Sequence, residues 1–177
     1  GSKPEALEGR LLVMAGGDGA LFEAQLPLLR MLSQDPKLMG ATGCGAASKL
    51  ALNQLIASLT HGYSLALRLV QASGLDVERF MEVLRPSALY APTVDKKLVR
   101  MLAHDYANPN FSTALLRKDL ALFLREADLI GLEASGLQGL MTLLERAQGS
   151  PLDGDDYSAL HELTAPQSDL NAPKATL

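Results

Sequence analysis

The residues of this chain best placed for chemistry lie between Gly40 and Asn53, in the stretch GATGCGAASKLALN. Lys49 and Asn53 are four apart, which on a helix puts an ammonium and an amide on one face, one turn from each other. Such a pair can donate a proton to a substrate oxygen and orient that oxygen. The positive end of a helix dipole and the apolar neighbours Ala46, Ala47, Leu50 and Leu52 would both disfavour the charged lysine, as a general acid or base working near neutrality requires. A lysine carrying its charge out to water from a buried stripe is the structural alternative, and Asn53 can equally bond to a neighbouring helix. Further on, Lys118 and Asp119 set opposite charges side by side, an arrangement that ordinarily lies on a solvated helix edge.

The glycines around Lys49 do not form a nucleotide loop. In a phosphate-binding P-loop the lysine directly follows the closing glycine, whereas here Ala46, Ala47 and Ser48 stand between Gly45 and Lys49. A dinucleotide fingerprint matches only at Gly43 and Gly45; Ser48 replaces the third glycine, and no strand with a ribose-binding acid follows. What remains is a tight turn, or a place where another backbone or a ligand comes close to the chain. Cys44 has no Cys or His partner nearby and reads as a packing residue in that turn. His61, His104 and His161 are scattered without metal-ligand spacing, and Leu152 to Asp156 lacks the alternating acids of a calcium loop, so no metal is expected.

Composition narrows the partners. In 177 residues, 47% are hydrophobic, enough for a real core, and the net charge of −4 comes without any block of Lys and Arg. A nucleic-acid surface needs clustered positive charge, so small molecules or proteins are the expected partners. The longest apolar run, residues 46–70, is interrupted by Lys49, Asn53, Gln54, His61 and Arg68, so it is no membrane span. No secretory leader is evident, and the expected location is the cytoplasm.

The elements that must position Lys49 are mainly helical. Leu11 to Met14, running into Ala15-Gly16-Gly17, suits a buried strand of a parallel sheet, with Lys37 to Met39 the only other candidate. Residues 19–32 have helical spacing after an Asp18 N-cap, and Pro27 predicts a break near Gln25 to Leu26. A helix of residues 46–72, ended by Gly74, would be on the order of 40 Å long and apolar around most of its circumference, which calls for cover on several sides. Asp76 starts a further helix, another follows Pro92, Thr113 to Ile130 is amphipathic and stopped by Gly131, and Leu137 to Ala147 is one more. Asp155 or Asp156 caps a last turn, and residues 164–177 read as a disordered tail.

Several of these segments together resemble the β-hydroxyacid dehydrogenases, within them the glyoxylate and succinic semialdehyde reductase branch. The opening Gly1-Ser2-Lys3-Pro4 with Glu8-Gly9 and LLVMAGGD is similar to the end of that family's cofactor domain. Gly40, Gly43, Gly45, Lys49 and Asn53 match its lysine motif, and Gly74-Leu75-Asp76, Phe111, Lys118-Asp119 and Gly149 through Ala159 recur in order. The resemblance implies a 6-phosphogluconate dehydrogenase-like fold, mainly α, with a stub of a Rossmann domain over residues 1–40 and a helical substrate and dimerisation domain over 41–163. It implies NADP or NAD as cofactor, held mainly by residues outside this sequence, and a small aldehyde, keto acid or hydroxy acid as substrate. Lys49 becomes the general acid, Asn53, Gly43 and Gly45 the substrate contacts, and Lys118, Phe111 and Asp119 the cofactor contacts. Homodimerisation through the long helix is implied as well.

Two positions depart from the pattern: Leu65 stands where the family usually has glutamate, and Ser48 where this branch often has methionine. Without the Rossmann glycine loop, this stretch by itself is expected to be inactive. A helical dimerisation module without catalysis is the rival reading.

Overall fold

The computed structural model describes residues 3–165, so the tail expected from residue 164 lies outside the described residues from 166 onward. Among the described residues the chain runs α1 (Lys3–Leu7), β1 (Met14–Ala15), α2 (Gly19–Leu32), β2 (Lys37–Leu38), α3 (Cys44–Ala72), α4 (Val77–Leu84), α5 (Thr93–Ala103), α6 (Thr113–Leu129), α7 (Ser135–Glu145), α8 (Pro151–Gly154), a 3-10 turn (Tyr157–Ala159) and α9 (Leu160–Leu163). It divides into two compact units, Gly1–Ile56 with Lys118–Glu133 and Ala57–Arg117 with Ala134–Leu177. Helices α3 and α6 each contribute to both.

In the first unit β1 and β2 pair in parallel, Met14 with Lys37 and Ala15 with Leu38. Helix α2 connects them, with the Asp18 carboxylate accepting from the Leu21 N–H at 2.8 Å as the N-cap. The expected break at Pro27 is absent. Pro27 and Glu23 lie on the exposed side, so the carbonyl that loses its helical partner is left to water and the helix continues to Leu32. Helix α1, not anticipated in the polar opening, accommodates Pro4 in its first turn, where no N–H is needed.

The head of α3 sits directly on β1. A Cβ at Gly16 would lie 2.7 Å from the Ala41 carbonyl oxygen and 2.9 Å from the Gly45 amide nitrogen, and one at Gly45 would overlap the Met14 carbonyl. Backbone therefore meets backbone, and only glycine fits. Gly43, just ahead, has φ +98, which a residue with a side chain rarely adopts. Helix α3 begins at Cys44 rather than after it, so Cys44 belongs to the helix and not to the turn.

The second unit holds the larger core. Leu67 of α3 meets Met81, Leu84, Val94, Leu98 and Met101 of α4 and α5, flanked by Tyr63, Phe80 and Tyr90. Asp76 caps α4 by accepting from the Arg79 N–H. Gly74 and Gly131, at φ +69 and +67, follow α3 and α6 as left-handed stops. The turn ahead of α6 is clamped by the C-terminal segment: Thr113 N–H donates to Asp155 O at 2.9 Å, Asp156 N–H to Tyr106 O at 2.9 Å and Tyr157 N–H to Phe111 O at 3.0 Å. Lys97 donates to the buried Asp156 carboxylate at 2.8 Å and lies 4.4 Å over the Tyr157 ring.

His161 is wholly buried, and neither ring nitrogen has a hydrogen-bond partner among the described residues. Burial first, then the nearby Arg68 charge, lowers its pKa to about 4. Its folded value lies below its unfolded value of 6.5, so the neutral ring is fully compatible with folding above that value. That stability is lost as pH falls from 6.5 toward 4. Urea unfolding is expected to show about 2 kcal/mol less stability near pH 5 than near pH 7.5 from this group. A His161→Gln variant should lose that part of the pH dependence, and an unchanged pH profile in the variant would contradict the assignment. Separately, Gly45→Ala should destabilise the first unit by about 1–3 kcal/mol through overlap with the Met14 carbonyl, read from the same denaturation curves; wild-type stability would mean that α3 shifts freely on β1.

Candidate active site

The site is built by α3 and α6 in the first unit. The long apolar stretch forms one uninterrupted helix of 29 residues, so the spacing of Lys49 and Asn53 becomes a fixed geometry, one turn apart on the same side. Lys49 is the sixth residue of α3, in its second turn. Next to it, the Ser48 hydroxyl donates back to the Cys44 carbonyl at 2.8 Å.

Asp119 on α6 joins them. Its side chain is only 4% exposed, whereas those of Lys49 and Lys118 are 57% and 59% exposed. The solvated-edge reading of the Lys118-Asp119 pair fails on a simple point of helix geometry: adjacent residues point about 100° apart, so one can be buried while its neighbour stays in water. One carboxylate oxygen, Oδ2, accepts from Lys49 Nζ at 3.4 Å and from the Asn53 amide, and Oδ1 accepts from Lys118 Nζ at 2.7 Å. Burial by itself would raise the Asp119 pKa. The Lys118 hydrogen bond, the Lys49 charge and the Asn53 amide together outweigh burial and hold it below the ordinary carboxylate range.

The apolar burial expected around Lys49 is therefore absent. Its neighbours Ala46 and Ala47 are themselves exposed, and its ammonium stands in solvent beside a buried negative charge. Of the other expected site residues, Gly43 is open on the side where a side chain would project, while Gly45 is occupied with the Met14 backbone. Phe111 belongs to the second unit, where it packs edge-on against Tyr157 with ring centres 5.7 Å apart. The structure thus brings Lys49, Asn53, Lys118 and Asp119 together. The sharing of one carboxylate by three donors had no signal in the sequence, because the donors on α3 and the acceptor on α6 are separated by 66 residues or more.

Comparison with known proteins agrees with this arrangement of elements. A family profile described as the NAD-binding domain of NADP-dependent 3-hydroxyisobutyrate dehydrogenase matches residues 43–164. Glyoxylate/succinic semialdehyde reductase 1 of Arabidopsis thaliana is 30% identical over 162 residues, which cover 92% of this chain and 56% of the relative. The 2-hydroxy-3-oxopropionate reductase of Escherichia coli is 32% identical over 161 residues, covering 90% and 54%. The chain spans about half the length of the curated relatives it matches. Among solved structures, 3-hydroxyisobutyrate dehydrogenase of Mycobacterium tuberculosis superposes with a TM-score of 0.82 at 23% identity, over 96% of this chain and 58% of that one, a likeness of fold. The cofactor of this group is NAD or NADP. With its profile matched over more than half of its length, the chain belongs to the 3-hydroxyisobutyrate dehydrogenase family of NAD(P)-dependent oxidoreductases.

Proposed function

We propose that the chain is the proton-donating, helical part of an NAD(P)-dependent reductase that converts small aldehydes or keto acids, such as glyoxylate and succinic semialdehyde, to hydroxy acids. The observation that carries this reading is the meeting of the Lys49 ammonium and the Asn53 amide at one buried carboxylate. Residues 1–40 then close a cofactor-binding domain, and residues 41–163 form the substrate and dimerisation domain. The names of the relatives support the substrate class, and their greater length supports a cofactor held mainly by residues outside this sequence.

When bound, the reduced cofactor would supply a hydride to the carbonyl carbon. Lys49 supplies the matching proton: its N–H bond breaks as the O–H bond of the product forms. The amine left behind recovers a proton from solvent, to which the side chain is 57% exposed. Asn53 has a second amide N–H beyond the one given to Asp119, and this orients the substrate oxygen. Gly43, with none of the described residues in the space a side chain would fill, leaves room for the substrate at the head of α3, and Gly45 contributes by seating that helix on β1.

The charges suit the ligands. Two exposed ammonium groups over one buried carboxylate leave an excess of positive charge, which fits an anionic acid and an anionic dinucleotide. Lys118, exposed beside the buried carboxylate, is assigned to the nicotinamide end. Homodimerisation through α3 is supported by Leu52, Leu55, Leu59, Leu65 and Leu69, each at least 38% exposed. Leu65, where the resemblance leads one to expect glutamate, adds to this apolar set.

The test is turnover by the full-length protein, followed as NADPH oxidation with glyoxylate or succinic semialdehyde. Lys49→Ala should lower kcat by about a hundredfold or more and leave cofactor affinity nearly unchanged. Full activity of that variant would remove Lys49 from the mechanism.

A further inference from the structure

We infer that Asp119 is a positioning residue for Lys49 and not a ligand of the cofactor; this rests on the reading of Lys49 as proton donor. An ionised carboxylate is an acceptor only, with about four lone-pair sites. Three of these are already taken, by Lys49, Asn53 and Lys118. The side chain is 4% exposed, so reaching a dinucleotide would mean breaking these bonds inside the protein. An anionic dinucleotide also gains nothing from a second negative charge beside it, whereas the exposed Lys118 next to Asp119 can approach it.

What Lys49 gains is definition. A lysine side chain on the surface has many accessible rotamers and samples many positions. Here the anchor is fixed twice over: burial removes the freedom of the Asp119 side chain, and Asn53 holds Oδ2 from the same helix as Lys49, one turn along. The three residues therefore form one bracket, with the two donors on α3 and the acceptor on α6. Lys118 balances the other carboxylate oxygen at 2.7 Å, so that Asp119 stays charged without drawing Lys49 into full burial. Lys49 is kept in one place yet remains open to substrate and to solvent.

The discriminating experiment uses Asp119→Ala and Asp119→Asn in the full-length protein, with cofactor affinity, kcat and the rate of Lys49 acetylation by acetic anhydride measured in parallel. The exposed Lys96 serves as internal reference for the labelling. Asp119→Ala should lower kcat by about ten- to hundredfold, as expected for a misplaced donor. Cofactor Kd should stay within about twofold of wild type, and Lys49 should label about two- to fivefold faster, corresponding to loss of an exposed ion pair. Asp119→Asn, which keeps the shape and loses the charge, should show the same labelling change and guards against a fold defect in the alanine variant.

A cofactor Kd raised about tenfold or more with kcat at saturation preserved would make Asp119 a cofactor ligand and overturn the inference. Unchanged Lys49 labelling in both variants would overturn it as well. Because labelling needs no turnover, it decides whether Asp119 holds the ammonium even if Lys49→Ala proves active.

Discussion

The arrangement of the first unit depends on one buried negative charge. A carboxylate removed from water costs several kcal/mol unless charges and hydrogen bonds replace its hydration, and Asp119 obtains these from Lys49, Asn53 and Lys118. Removing any one of the three would leave part of that cost uncompensated, so the donors and the acceptor specify each other. The cluster fixes α6 against α3 within the first unit at the point where chemistry is proposed. It also leaves the two ammonium groups facing water, since a single carboxylate satisfies only one edge of each.

The rest of the first unit can be understood as support for the head of α3. Gly16 and Gly45 allow helix and strand to touch backbone to backbone, and the left-handed Gly43 turns the chain into the helix. From there the uninterrupted helix carries Lys49 and Asn53 in fixed register. In the second unit the C-terminal segment clamps the turn that leads into α6 through Thr113, Asp156 and Tyr157, so the first turn of that helix is pinned by hydrogen bonds of its own. The supports differ in kind: glycine permits the close approach of helix to strand, whereas the clamp runs through backbone groups of residues distant in sequence.

Much of this was legible from the amino-acid sequence, because its signals act over a few residues. The caps at Asp18 and Asp76, the glycine stops at Gly74 and Gly131 and the long apolar run all report local backbone preferences, and the corresponding helices are present. The placing of Lys49 and Asn53 one turn apart on one helix was legible for the same reason. Pro27 misled because the penalty of an interior proline depends on whether the released carbonyl reaches water, which is a property of the folded surface. The environment of Lys49 misled in a similar way. Apolar neighbours along the chain do not bury a side chain, and only the packing of a distant helix decides whether it meets solvent, a carboxylate, or both.

The central claim is that Asp119 and its α3 donors act as one unit, and a double-mutant cycle on folding stability measures this without any assay of turnover. Asn53→Ala, Asp119→Ala and the double variant are compared with wild type by urea denaturation at neutral pH. The account predicts a coupling energy of about 1 kcal/mol or more, because an amide hydrogen bond to a charged, buried acceptor is lost only once. Strictly additive effects of the two substitutions would mean that Asn53 does not hold the carboxylate, and the bracket around Lys49 would not exist.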